Sequence, residues 1–597
     1  MKYLDLIKSV QIEDGLNEIL LDGIYPIADF DQAKFNKVEY FIDDELNMDS
    51  KYANRLMIDS KEMVDLNIYC GQGYIASKDD EMTNKFLRFQ GWSGGDGIYS
   101  FNLTDGNDQF DQKQDMKTLF VFGDTFVGTS DLKTNQRFQP HLMPNNSLGY
   151  YQDQKIEFKV NFKDDGSVAG FYSMDPQYDN AGTVIQNIIR YDRKDENPGY
   201  VSGYYPKDLE IVFDLYKIRN ITHIDFYNYF SNEEKYLAKR GLKEVEIHGS
   251  LNGETYTFIK KINLSQSEYL GNHETIEIHE SHRFIKLIVP TKPGVGNHND
   301  DTFTEGLFAL NQVKFYNLDQ QYRDLKVDAS STLLINPEHS WIWLQDGVII
   351  GDHLYFIPMV INSDLNQPEG LQFCVKGVAL FKTPIENKDI NYEKATQKMA
   401  PLLVENEESQ WLFGAAIMAS TRKAGSKNPD GFIYIYGYKT TMGLREMVLA
   451  RVLEENFEYF DDWTFFDGND FQPDIFKSVG LLSHISCEMS VSPILDGLYK
   501  DKYLAVFTYD VNTKYVSYAI GESPWGPFSK PQKIYVTPEQ EIYKSTTYTY
   551  NAKAHPHLSM STDVLVSYNT NTYNFDHNMS NNLVYRPRFI RLKDTTK

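Results

Sequence analysis

Cysteine is scarce in this chain. Cys70, Cys374 and Cys487 are three residues in 597, too few and too scattered for a disulfide framework, and without the paired spacing of a zinc site. Long apolar runs are missing too. No stretch reaches the roughly 18 residues of a membrane helix, so no membrane partner is expected. Positive charge is short: 59 Lys and Arg face 84 Asp and Glu, a net charge of −25. Phosphate backbones repel such a surface, which argues against nucleic acid. Neither a glycine-rich phosphate loop opening a helix nor a Gly-x-Ser-x-Gly elbow occurs, which disfavours nucleotide-dependent chemistry and the α/β-hydrolase mechanism. No cofactor and no metal is expected. Met1-Lys2-Tyr3-Leu4-Asp5-Leu6-Ile7-Lys8 lacks the apolar core and cleavage site of a signal peptide, so the cytoplasm is the expected compartment.

Aromatic residues are what the chain has in excess. With 41 Tyr and 37 Phe, aromatics make up 14% of it. Rings pack well across strands, and they offer flat faces to sugars. The length calls for more than one domain. Residues 1–84 read as a lead-in packed on the main body, with helix-like apolar spacing from Leu4 to Leu21.

From Gly91 the pattern becomes short strands and turns. Gly91-Trp92-Ser93-Gly94-Gly95-Asp96-Gly97-Ile98-Tyr99-Ser100 and Leu119-Phe120-Val121-Phe122-Gly123-Asp124-Thr125-Phe126 read as one antiparallel ribbon carrying two acids. Comparable units begin at Trp341, Trp411, His484 and Ala554, each a polar strand start, a turn and an apolar strand such as Phe432-Ile433-Tyr434-Ile435-Tyr436. Their spacing, about 65 to 77 residues, holds four strands with loops. A repeated four-stranded unit implies a propeller, because one such sheet cannot bury both faces alone. The expectation is an all-β chain: a five-bladed β-propeller with blade 1 at 85–164 and blades 2–5 at 321–597, interrupted by an inserted β-sandwich at 165–320.

The inserted segment has its own strands, within Leu209–Leu215, Ile221–Tyr227, Leu242–Gly253, Phe284–Val289 and Leu310–Tyr316. Their order, with the turn from Ser250 to Tyr256, resembles the discoidin (coagulation factor 5/8 type C) jelly roll, often a sugar-binding module in bacterial enzymes. The rest resembles five-bladed glycoside hydrolases, and more closely the GDT-motif domain families DUF4185 and DUF5005. The carrying residues are Gly91–Ser100, Leu119–Gly128, Trp343–Phe356, Cys487–Ile494, Ala554–Ser559 and Tyr585–Leu592.

In a propeller the first strand of every blade lines a central funnel, so distant residues reach one ligand. Four acids stand at such strand starts: Asp96, Asp124, Asp346 and Glu488. Asp96 and Asp346 precede glycine, which also suits a plain β-turn. Asp124 sits among apolar residues, where a carboxylate needs partners. Glu488, between Cys487 and Met489, is the sharpest of the four, since burial is how a general acid is made. A buried ion pair is the plainer account of it. Trp92, Trp343 and Trp411 are candidate sugar platforms, with Trp341 on the same strand face as Trp343 and core packing the alternative. Asn145, His555 and His557 are candidate sugar contacts, the two histidines sharing a face by alternation. Arg586 and Arg588 suit a carboxylate or phosphate clamp, or closure of the ring by salt bridges.

Two acids and a polar shell suit glycosidic cleavage, one acid protonating the leaving oxygen and the other acting as base or nucleophile. The expected roles are Asp96 as base or nucleophile and Glu488 as acid, with Asp346 tuning and Asp124 as a substitute. A carbohydrate substrate is the expected partner. The alternatives are a carbohydrate-binding protein without catalysis and a cytoplasmic glycoside phosphorylase.

Overall fold

In a computed structural model of the chain, residues 5–597 are described except 112–115, 139–140, 164–165, 174–199, 202–208, 232–234, 291, 293, 300–307, 318–327, 333–339, 364–372, 407 and 544–545. The protein is all-β. Among the described residues the α-helices are three short pieces, Asp80–Lys85, Glu539–Ile542 and Phe575–Ser580. No described helix is long and apolar enough to cross a membrane.

Five antiparallel meanders of four strands, the second and third within seven-stranded sheets, form most of the body. The first is Tyr99–Asn102, Thr118–Phe122, Ser147–Gln152 and Lys155–Lys159. The second is Gly347–Ile350, His353–Phe356, Phe373–Glu386 and Thr396–Ala400. Ser409–Ala419, Phe432–Thr441, Leu444–Leu453 and Thr464–Phe466 make the third. Met489–Pro493, Tyr503–Thr508, Tyr515–Gly521 and Gln532–Val536 make the fourth. The fifth takes Thr547–Ala554, Asp563–Thr572 and Pro587–Asp594, and its outer strand, Tyr74–Lys78, comes from near the start of the chain.

The third meander shows why these segments are strands. Phe432–Thr441 is rich in aromatic and β-branched residues, and the middle of both it and Leu444–Leu453 is buried on both faces, so polar alternation is lost there. Met442 and Gly443, both at positive φ, close the hairpin as a two-residue loop whose twist matches the strands. Cores fill the spaces between sheets. One joins the first and second meanders, including Phe101, Leu119, Leu354 and Phe356. A second runs through the second, third and fourth. A third joins the fourth to the fifth through Leu504, Val506, Val564 and Val566. The last joins the fifth back to the first through Phe120, Phe122, Leu565 and Phe589.

The expected helical stretch Leu4–Leu21, described from Asp5 on, is not helical. The described part is two strands, Leu6–Ile12 and Gly15–Pro26, which pair with Val64–Tyr69 and Tyr52–Ser60. Ile12, Ile19, Ile27, Leu56, Ile58 and Ile68 share a small core. Cross-strand pairing decides what a short apolar spacing leaves ambiguous. The expected border at residue 84 also fails as a division, because Tyr74–Lys78 belongs to the fifth meander.

The segment between the first and second meanders forms one sheet in the order Tyr200–Val201, Ala309–Asn317, Leu209–Asn228, Glu274–Val289, Glu244–Ser250, Thr257–Asn263. Asp328–Thr332 also pairs with Leu209–Asn228, so this sheet extends past the expected border at 320. The borders themselves, 164/165 and 320/321, lie outside the described residues.

Candidate active site

The ribbon expected at the first motif forms in two halves. Tyr99–Asn102 pairs with Thr118–Phe122, and Gln90–Gly95 pairs with Thr125–Thr129. Asp96 and Asp124 stand at the break. Gly97, at φ +54°, turns its N–H back to donate to Asp96 Oδ1 at 2.5 Å, a conformation that favours glycine. The second meander repeats the device. Ser340–Trp343 with Met359–Ser363 and Gly347–Ile350 with His353–Phe356 are its two halves. Asp346 stands at that break, accepting from the Gly347 N–H at 2.9 Å. Pro358 occupies the position that matches Asp124.

A cavity of about 560 Å³ opens over the first break. Asp96, Asp124 and Glu488 line it together with Trp341, Trp343, Phe373, Tyr438, Arg445, Tyr548, Tyr550, Tyr573 and Tyr585. Asn512, Asn551 and Asn571 add neutral polar groups. Tyr548 lies 4.5 Å from Tyr573, and Trp343 packs edge-on to Phe373 at 4.6 Å. Three carboxyls thus face a wall of rings.

The three acids differ in their surroundings. Asp124 is pushed up to about 7, chiefly by burial and then by the neighbouring Asp96 carboxylate, with the Trp343 indole offsetting part of the rise. Burial likewise takes Asp96 to about 6. Hydrogen bonds from Tyr550 Oη at 2.5 Å and from Gly97 pull it down, while Glu488 pushes it up. Glu488 Oε2 is ion-paired with Lys553 Nζ, and both side chains are buried. Lys553 also lies 3.8 Å over the Tyr99 ring.

Lys553 reaches Glu488 because the fifth meander carries a bulge. Its first strand changes register between Tyr550 and Lys553, with Asn551 at φ +60°. Two residues three apart on a regular strand would point to opposite faces; the extra residue lets both serve the acid cluster. Tyr550, Tyr585 and Arg445 line the cavity and Lys553 reaches its Glu488, and none of the four stood out as a site residue in the sequence. The signal for Lys553 was present, a lone lysine between Ala552 and Ala554 in a strand.

The other expected residues are placed elsewhere. Asp346 lines a smaller adjoining cavity, where its Oδ2 accepts from the Ile417 N–H at 2.7 Å and burial raises it to about 7. Trp92 stacks on Phe158 at 4.1 Å and donates to Ser147, and Trp411 donates to the Ser478 carbonyl; both are core residues. Asn145 is exposed in a bend and does not line the cavity. His555 and His557 are not on a strand, because the strand ends at Ala554 and a 3₁₀ turn begins at Pro556. His555 bonds Ser100 and Ser567, each at 2.8 Å, and burial holds it well below the usual histidine range. His557 bonds Asp108 and Thr118. Arg586 is buried against the Thr83 carbonyl, and Arg588 faces Glu539 at 3.4 Å. Their guanidinium groups hold the last strand to the body, so neither clamps a ligand in the cavity.

A larger open groove of about 930 Å³ runs past Asp79, Met116, His557 and Arg591. Its Asp79 caps the Asp80–Lys85 helix and pairs with Arg591, so that carboxylate is committed to structure. Among the described residues no His, Cys, Asp or Glu group has the arrangement of a metal site.

Residues 298–595, just under half of the chain, match a domain family of unknown function, DUF5005. The match begins within the inserted sheet and takes in Trp343, Arg445, Glu488, Tyr550 and Lys553; Asp96 and Asp124 precede it. No curated protein matches. A candidate hydrolase from Bacteroides ovatus is similar at 15% identity over 88% of this chain and 92% of its own, with a TM-score of 0.45. Two carbohydrate-binding modules, CBM32-1 and CBM32-3 of a family 31 glycoside hydrolase from Clostridium perfringens, are similar at 16% identity. They cover 24% and 27% of this chain and 91% of their own, each with a TM-score of 0.18.

Proposed function

We propose that the protein is a glycoside hydrolase whose five meanders are the blades of a β-propeller, with the substrate bound in the aromatic cavity at its centre. The cores that link the meanders in sequence and return from fifth to first support the ring. The inserted sheet is read as a discoidin-like sugar-binding module.

The observation that carries the reading is the unequal environment of three neighbouring carboxyls. Asp124, raised to about 7, retains a proton near neutrality and is assigned as the acid that protonates the leaving oxygen. Glu488, whose carboxylate is held in a buried ion pair with Lys553, is assigned as the base or nucleophile. Asp96, held by Tyr550 and Gly97, raises the proton affinity of Asp124. This exchanges the roles expected from sequence, where Glu488 was the acid. Phosphorolysis loses its sequence hint, because Arg586 and Arg588 are buried outside the cavity.

The test is hydrolysis of an aryl-glycoside and glycan panel by the wild type, Asp124→Asn and Glu488→Gln. Each substitution should lower kcat/KM by at least about a hundredfold with the fold intact. Sugar binding by calorimetry with no cleavage of any substrate would reduce the protein to a binding module. A dependence of sugar release on inorganic phosphate would make it a phosphorylase.

A further inference from the structure

Arg445 lines the same cavity and has no anionic partner among the described residues. It begins just after the Met442–Gly443 turn, and its side chain reaches inward over the Tyr438 ring at 5.4 Å. Its Nε is buried without a hydrogen-bond acceptor. No described carboxylate or carbonyl pairs with its guanidinium. The other cation of the site, Lys553, is neutralised by Glu488. The titratable side chains around Arg445 are the Tyr438 hydroxyl and the Cys487 thiol, and the guanidinium draws the ionisation of both downward, although burial dominates and raises them. A planar guanidinium with free donors, partly desolvated beside a ring, is built for a planar bidentate acceptor.

The position matters because the cavity is otherwise acidic. Asp96, Asp124 and Glu488 would repel an anion placed at random in it. A sugar whose anionic group points to Arg445 keeps that group beside the positive side of the cavity and leaves its ring to the aromatic wall. Neutral amides at Asn512, Asn551 and Asn571 suit the remaining hydroxyls.

We propose that Arg445 binds the carboxylate of an acidic sugar, so that the substrate is a glycan containing a uronic acid or similar residue. The inference rests on the sugar-binding reading of the cavity and names the class of glycan.

Binding is measured by calorimetry on the full chain carrying Asp124→Asn, so that turnover does not interfere. The probes are the methyl glycosides of glucuronic and galacturonic acid, each against its neutral glucose or galactose counterpart, and inorganic phosphate alone. At least one uronide should bind about tenfold or more tightly than its neutral counterpart. Arg445→Gln should abolish that preference, and Arg445→Lys should keep part of it. Equal binding of uronide and neutral sugar overturns the proposal, and this comparison needs no Arg445 variant to fold. A preference that survives Arg445→Gln overturns it as well. Phosphate binding that depends on Arg445, without any uronide preference, assigns the site to a free anion instead. Uronide preference with no turnover by the wild type leaves this inference standing and removes hydrolysis; turnover of neutral glycans without preference does the reverse.

Discussion

The backbone N–H of Asp96 donates to the Asp124 carbonyl at 2.9 Å, and the Asp96 carbonyl accepts from the Gly123 N–H at 2.6 Å. Two aspartates 28 positions apart are thus clamped side by side at a break in one ribbon, with their carboxyls facing one cavity. Their proximity is a property of strand pairing, so it survives side-chain substitution.

That clamp makes activity depend on pH in a defined direction. Asp124 must be protonated to act as the acid, so kcat should fall as pH rises through about 7. Asp96→Asn removes the negative neighbour and should move this alkaline limb to lower pH. A pH–rate profile of both proteins checks it; an unmoved limb removes Asp124 from the role.

The same groups set a stability trend. The folded-state values of Asp124 and Asp96, about 7 and about 6, exceed that of an unfolded aspartate. The folded protein then binds more protons between pH 4 and those values, so ionising each group costs stability as pH rises through that window, at up to about 1.4 kcal/mol per pH unit per group. Asp124→Asn should therefore raise Tm at pH 8 and leave it nearly unchanged at pH 4.

Lys553 and Glu488 form a buried pair, and removing one partner strands the other. Lys553→Met should destabilise the protein by about 3–5 kcal/mol in urea unfolding at pH 7. Adding Glu488→Gln should recover most of that loss. If the double variant is as unstable as the sum of its parts, the pair is not coupled.

The tryptophans should divide by location. Trp411→Ala should cost about 3–5 kcal/mol of stability through a core cavity, with KM unchanged in the folded fraction. Trp343→Ala, at the cavity wall, should raise KM severalfold at a smaller cost in stability. Kinetics at temperatures well below each Tm separate the two effects.

Tyr550→Phe removes the donor that pulls Asp96 down, so Asp96 should titrate higher. Titration of Asp96 by carboxyl-carbon NMR is the direct measurement, and a fall in its pKa would contradict the assigned hydrogen bond.

The strand content, the repeated units and the two-acid ribbon were legible because they are local. Apolar strands between turns mark themselves at close range, and the Asp96 and Asp124 motifs pair across one hairpin. The first strands, Leu6–Ile12 and Gly15–Pro26, were not legible, because their partners lie far along the chain, from Pro26 opposite Tyr52 to Leu6 opposite Tyr69. Trp92 and Trp411 carry the same side chain as Trp343, yet they point into the core, and no local pattern distinguishes them.

Composition and motif order by themselves determined an all-β chain and brought Asp96, Asp124, Trp343 and Glu488 forward as candidates for one site. Tertiary structure alone decided that these four share a cavity while Asp346, at a matching break, turns to the Ile417 N–H instead. It also supplied Tyr550, Lys553 and Arg445, whose importance depends on which charges and rings surround them. The reason is physical. A carboxyl's proton affinity and an arginine's freedom follow from burial and from neighbours contributed by other sheets, and those neighbours are distant in sequence.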